Sequence, residues 1–126
     1  MARTVAIVFG IIYTLVGILG FVPAAGGTFG MAPSPLLHTF DINVLHNLVH
    51  LIIGLGALAV SGSNEKAAPF LRTFGWILIL IAIVGFFWKN PFGILPIGGP
   101  DVWLHLVTGL IFVWAGMTAP RPAAAS

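Results

Sequence analysis

The sequence predicts an all-α membrane protein, a four-helix bundle made of two copies of one helical hairpin with both termini on the cytoplasmic side. Three observations carry this. Of its 126 residues 59% are hydrophobic and only 6% charged, with a mean hydropathy of +1.10. A soluble domain carries about 25% charged residues, so this chain lacks the charge to clothe a surface in water. Four apolar stretches are separated by segments rich in Pro, Gly and polar residues. Finally, the first two stretches echo the last two. By length the chain is one domain, residues 1–126, with one repeat over 4–61 and the other over 69–118.

A bilayer core of about 30 Å needs roughly 20 apolar residues in a helix. The first candidate span is about Thr4–Val22. Arg3 ahead of it, and a weak cleavage-like Val22-Pro23-Ala24, could suggest a secretory signal; its later counterpart argues for a retained helix. The Pro- and Gly-rich segment 23–39 reads as a loop, and His38 within it has no assigned role. The second span, Ile42–Ser61, is expected to be capped by Asp41 and Asn43. A short polar loop, 62–68, leads to the third span, Pro69–Trp88. Lys89 to Pro100 holds three Pro and three Gly and reads as another loop. Pro100 and Asp101 suit the first turn of the fourth span, Asp101–Thr118.

Arg3, Lys66, Arg72 and Arg121 fall at the termini and the middle loop, which an even number of spans places on one side. Only Lys89 falls on the other. The excess of positive charge predicts that the first side is cytoplasmic. Trp76 and Trp114 are then expected near the inner interface, Trp88 and Trp103 near the outer one.

The repeat is legible residue by residue. Phe9–Phe21 returns as Phe74–Phe86, 65 positions later, with seven of thirteen residues identical. Val49–Leu55 returns as Leu104–Leu110 at an offset of 55, pairing His50 with His105 and Gly54 with Gly109. Two spans per copy give both copies one orientation, related by a pseudo-twofold along the bilayer normal. The expected seam lies between the second helices of the two copies, where Gly54, Gly56, Gly109 and Gly116 permit close approach. Gly10 and Gly17 offer the first helix a similar stripe.

Polar groups inside hydrocarbon are costly, which makes an intramembrane His a functional-site hypothesis. His46 and His50, spaced i, i+4, share a helix face. The repeat sets Asp101 and His105 at the equivalent positions, so four groups can converge near the outer end, with Asn47 and Thr108 close by. Three imidazoles and a carboxylate can hold Zn, Fe or Cu, and an axial His can hold a haem or a chlorophyll-type pigment. Against this stands a structural reading, in which the imidazoles are helix glue bonded to each other or to carbonyls. A third reading is a proton or small-solute path, requiring a wet cavity that continues past His50 and His105.

Other chemistry is poorly served. There is no cysteine and no Lys/Arg run to meet nucleic acid, and no nucleophile triad or phosphate loop. No enzymatic activity is expected. The broad apolar flank suits packing against lipids, carotenoids, quinones, other membrane subunits or further copies of the chain, as in a non-catalytic accessory subunit of a photosynthetic or respiratory complex.

The stretch Asn43-Val44-Leu45-His46-Asn47-Leu48-Val49-His50-Leu51, its echo Asp101-Val102-Trp103-Leu104-His105-Leu106, and the Gly-Phe helix ends resemble a bacterial family. These are the small four-span membrane proteins known as domain of unknown function 4383. The resemblance runs from about Gly10 to Gly116, centred on Leu-His-Asn-x-x-His-Leu. It implies the four-span fold and the bacterial cytoplasmic (inner) membrane, and it supplies no activity. Val102 departs from the pattern, since similar sequences often carry Asn there.

Overall fold

A computed structural model describes residues 1–119. Arg121, one of the positive charges counted above, lies outside the described residues. Four α-helices make up most of the chain: α1 (Ala2–Leu19), α2 (Val44–Ala59), α3 (Asn64–Phe87) and α4 (Pro100–Thr118). The class is all-α, with one small exception. Segment 23–43, expected as loop, contains a two-stranded antiparallel ribbon, β1 (Ser34–Leu36) and β2 (Phe40–Ile42). Leu37 and His38 turn it in left-handed conformation, at φ 52° and 58°. Their side chains gave no hint of such a turn, for which Gly or Asn is usual.

Helix ends follow local chemistry. Asn43 caps α2, its side-chain oxygen accepting from His46 N at 2.9 Å. Asp41 instead sits in β2, so only one of the two expected caps serves. Ser63 caps α3 by accepting from Lys66 N, starting the helix five residues ahead of the expected Pro69. Pro69 thus lies inside the helix. The earlier start also makes Trp76 the thirteenth of the helix's 24 residues. Pro100 opens α4 as expected, behind Gly99 at φ 67°. At the far end of α4, Arg72 Nη1 donates to the Gly116 carbonyl at 2.8 Å, satisfying an acceptor that helix geometry leaves open.

Helices α1, α3 and α4 are long and apolar enough to cross a membrane. At 16 residues α2 is shorter than its expected 20 and covers about 24 Å. Ile42 is taken into β2, and the ribbon continues the chain from its upper end. The N-terminus lies against the α2–α3 connection: Arg3 N donates to Asn64 Oδ1 at 2.9 Å, and Arg3 Nε to Ser61 O at 3.0 Å. We call this the amino-terminal end and the opposite one the ribbon end.

Packing corrects the expected seam. Helix α1 packs along α2, and α3 along α4; the closest backbone approaches lie within each hairpin, not between α2 and α4. A Cβ built on Gly10 would stand 3.1 Å from the Gly54 carbonyl oxygen, and one on Gly75 3.0 Å from that of Gly109. Gly54 faces the Thr14 backbone, Gly109 faces Ile79, Gly116 faces Ala68 and Arg72, and Gly17 faces Leu51. Gly56 instead meets the Phe70 ring of α3. The offsets of 65 and 55 therefore return as equivalent glycine crossings in the two hairpins. Close approach of small residues gains dispersion contacts, and the antiparallel partners within a hairpin lie closest.

The two hairpins meet around Phe112, fully buried and edge-on to Phe9 at 5.5 Å. Tyr13, Ile53, Leu71, Leu78 and small residues such as Ala6, Ala57 and Ala115 complete this core. Large apolar side chains cover the outside instead: Leu15, Ile52, Leu55, Leu80, Phe86 and Trp103 are each more than half exposed. Inside, toward the ribbon end, lie the buried polar residues Asn43, His46, Asn47, His50, Asp101 and His105.

Candidate metal centre

First turns bring the chemistry together. Asn43 fixes the start of α2, which turns His46, and one turn later His50, toward the bundle axis. The start of α4 behind Gly99 does the same for Asp101 and His105. Long side chains bridge the distance that the α2 and α4 backbones leave. All four expected residues meet: His46, His50, Asp101 and His105 retain only 2–4% exposure.

The geometry is tight. His46 and His50 stand edge to face with centroids 4.6 Å apart, and His105 lies 5.9 and 5.8 Å from them. One ring nitrogen from each of the three falls within 4.8 Å of the others. Asp101 lies against this set. Its Oδ2 is 3.0 Å from His46 Nε2 and 3.9 Å from His105 Nε2.

These groups are close without being satisfied. Among the described residues, both ring nitrogens of His46, both of His50, and Nδ1 of His105 are buried without a hydrogen-bond partner, as is Asp101 Oδ2. The 3.0 Å approach of His46 to Asp101 is not aligned as an N–H···O bond. Among the described residues, these five nitrogens meet neither another imidazole nor a carbonyl as a hydrogen-bond partner. Each unsatisfied buried polar group costs about 1–3 kcal/mol, and three imidazoles in one apolar bundle amount to several. One nitrogen from each of the three imidazoles is placed where it could serve a metal ion.

Asn47 and Asn43 have different work, which the sequence did not disclose. Asn47 Nδ2 donates to Gly20 O at 2.6 Å and Thr28 O at 3.2 Å, tying α2 to the end of α1. Gly20 must be glycine for this, because a Cβ there would overlap the Asn47 amide. Asn43 Nδ2 donates to Met31 O at 3.1 Å and Ile94 O at 2.7 Å, joining the two connections at the ribbon end. Tyr13 was also missed. Its ring packs 4.9 Å from His50, and its hydroxyl has no hydrogen-bond partner among the described residues. The repeat could not have flagged Tyr13, because its equivalent is Leu78. Thr108 is buried nearby at 1% exposure, and His38 stands exposed at the ribbon turn.

An apolar cavity of about 150 Å³ ends on this cluster. Val16, Leu19, Leu36, Phe40 and Leu104 line it, with His46, His50 and Asp101 at its floor. A smaller space of about 40 Å³ between Phe9, Tyr13, Val16, Leu104 and Thr108 also touches His50. Below the histidines, Phe112 fills the bundle.

No curated protein and no solved structure matches this chain. The family model for a domain of unknown function, DUF4383, matches residues 3–118, and with nearly its whole length covered the chain belongs to that family.

Proposed function

We propose that this protein is an integral membrane protein of the bacterial cytoplasmic membrane, and that it holds one transition-metal ion on His46, His50 and His105. The observation that carries the reading is the convergence of three buried imidazoles with uncommitted nitrogens. Metal–imidazole bonds would compensate what the missing hydrogen bonds cost; for scale, structural zinc in zinc-finger peptides binds with about 10 kcal/mol or more. Imidazole suits zinc, copper, iron and nickel. Asp101 supplies the negative charge that a cation in hydrocarbon needs and orients His46 from behind.

The membrane setting rests on the three long apolar helices and on the outward-facing Leu, Ile, Phe and Trp side chains. A haem or chlorophyll fits poorly. The nitrogens are too near one another to admit a macrocycle, and none of the three clustered imidazoles reaches the surface to serve as an axial ligand. A proton path finds little support, because Phe112 and Tyr13 close the bundle below His50. The same apolar flank favours a second reading, packing as a non-catalytic accessory subunit against other membrane helices, and the two are compatible.

Metal analysis of the purified protein tests the proposal. Wild type is expected to retain one equivalent of a first-row metal, and His50→Ala or His105→Ala to retain none. Asp101→Asn, which keeps the ligands and removes the orienting charge, is expected to bind 10–100-fold more weakly. Wild type that folds yet takes up no zinc, copper, iron or nickel would overturn it.

A further inference from the structure

We infer that the metal keeps one coordination position open toward the apolar cavity, and that this position takes a small, uncharged, lipid-soluble molecule of the dioxygen or carbon monoxide class. This rests on the metal reading above and says what that site would bind. On that reading the three imidazole nitrogens, within 4.8 Å of one another, are the ligands, and Asp101 Oδ2, 3.0 Å from His46 Nε2 and 3.9 Å from His105 Nε2, is the charge partner. A four-coordinate ion held by three protein ligands has one position left, the arrangement that distinguishes reactive sites from closed structural ones.

The cavity decides what can reach that position. Its volume of about 150 Å³ is that of cavities that stay dry and accept benzene or xenon. Val16, Leu19, Leu36, Phe40 and Leu104 form its wall, and its polar boundary is the imidazole and carboxylate floor. A charged ligand would lose its hydration against this wall with nothing to replace it. A phospholipid headgroup or a tetrapyrrole is too large. Small neutral molecules partition into bilayers, and the wall residues belong to α1, α4 and the ribbon, elements at the bundle's edge. Of the wall residues Leu36 is fully enclosed, whereas Leu37 at the ribbon turn is half exposed, so the ribbon roofs the cavity.

Carbon monoxide is the probe, with copper(I) as the metal, because copper(I) balances the single Asp101 charge and binds carbon monoxide without further chemistry. Protein in lipid nanodiscs is loaded anaerobically with copper(I), its metal content measured, and carbon monoxide titrated while the bound carbonyl stretch is followed by infrared spectroscopy. One saturable carbonyl per copper is expected. Val16→Phe and Leu104→Trp, which fill the cavity from two different helices, should keep the copper and weaken carbon monoxide binding at least tenfold. Leu110→Trp on the outer face of α4 should leave it unchanged. Copper retained at one equivalent with no carbonyl band would show a closed site, overturning this inference while leaving the metal reading intact. Unaltered affinity in both filled variants would refute the cavity as the ligand's place. Failure to retain any metal would remove both readings together.

Discussion

Replacing Asn43 by alanine removes three bonds through one side chain. Its oxygen accepts from His46 N at 2.9 Å, and its amide donates to Met31 O and Ile94 O at 3.1 and 2.7 Å. Loss of a helix N-cap costs about 1 kcal/mol. A carbonyl left without a donor costs about 1–3 kcal/mol when fully buried. Both donated bonds are only partly buried, which places the pair nearer 2 kcal/mol in total. The sum is about 3 kcal/mol, roughly a 100-fold change in the folding equilibrium and a large part of the 5–15 kcal/mol typical of a domain. Reversible unfolding by sodium dodecyl sulfate in mixed micelles, followed by circular dichroism, measures it. Asn43→Asp is the informative companion: its carboxylate can still cap α2 but cannot donate to either carbonyl. It is expected to be at least as destabilised as the alanine variant. An alanine variant within 1 kcal/mol of wild type, or an aspartate variant as stable as wild type, would refute the tether.

The glycine crossings predict equal penalties in the two hairpins. Gly10→Val and Gly75→Val should each lose about 1–3 kcal/mol by overpacking, whereas Gly62→Val, with open space around it, should lose nothing in the same assay. The lack of native cysteine gives a clean background for topology. An impermeant maleimide added to intact cells should label Thr39→Cys and spare Gly62→Cys, and the opposite pattern would place the termini outside.

The sequence made the helices legible because composition and period are local properties. Its errors fell where a boundary depends on one side chain. Pro69 reads as a helix start because proline favours first turns, yet Ser63 captures the helix earlier. Ile42 reads as span and is taken by the ribbon. The four site residues were legible for a different reason: duplication aligned His46 with Asp101 and His50 with His105, so a twofold arrangement with these faces inward brings them together. Rotation of each helix about its axis was not legible. Apolar residues surround these helices, so hydrophobic pattern cannot tell the face toward lipid from the face toward a neighbour. That is why the glycines were expected between α2 and α4 when they close the hairpins, and why Asn43, Asn47 and Tyr13 gained their partners only in three dimensions.

The centre itself can be read directly by X-ray absorption at the edge of the metal that the wild-type protein binds. Three nitrogen scatterers at about 2.0–2.1 Å with the outer-shell signature of imidazole are expected, and His105→Ala should abolish the bound signal. A first shell of oxygen alone, or a signal indifferent to loss of His50 and His105, would contradict a metal held at the meeting of α2 and α4.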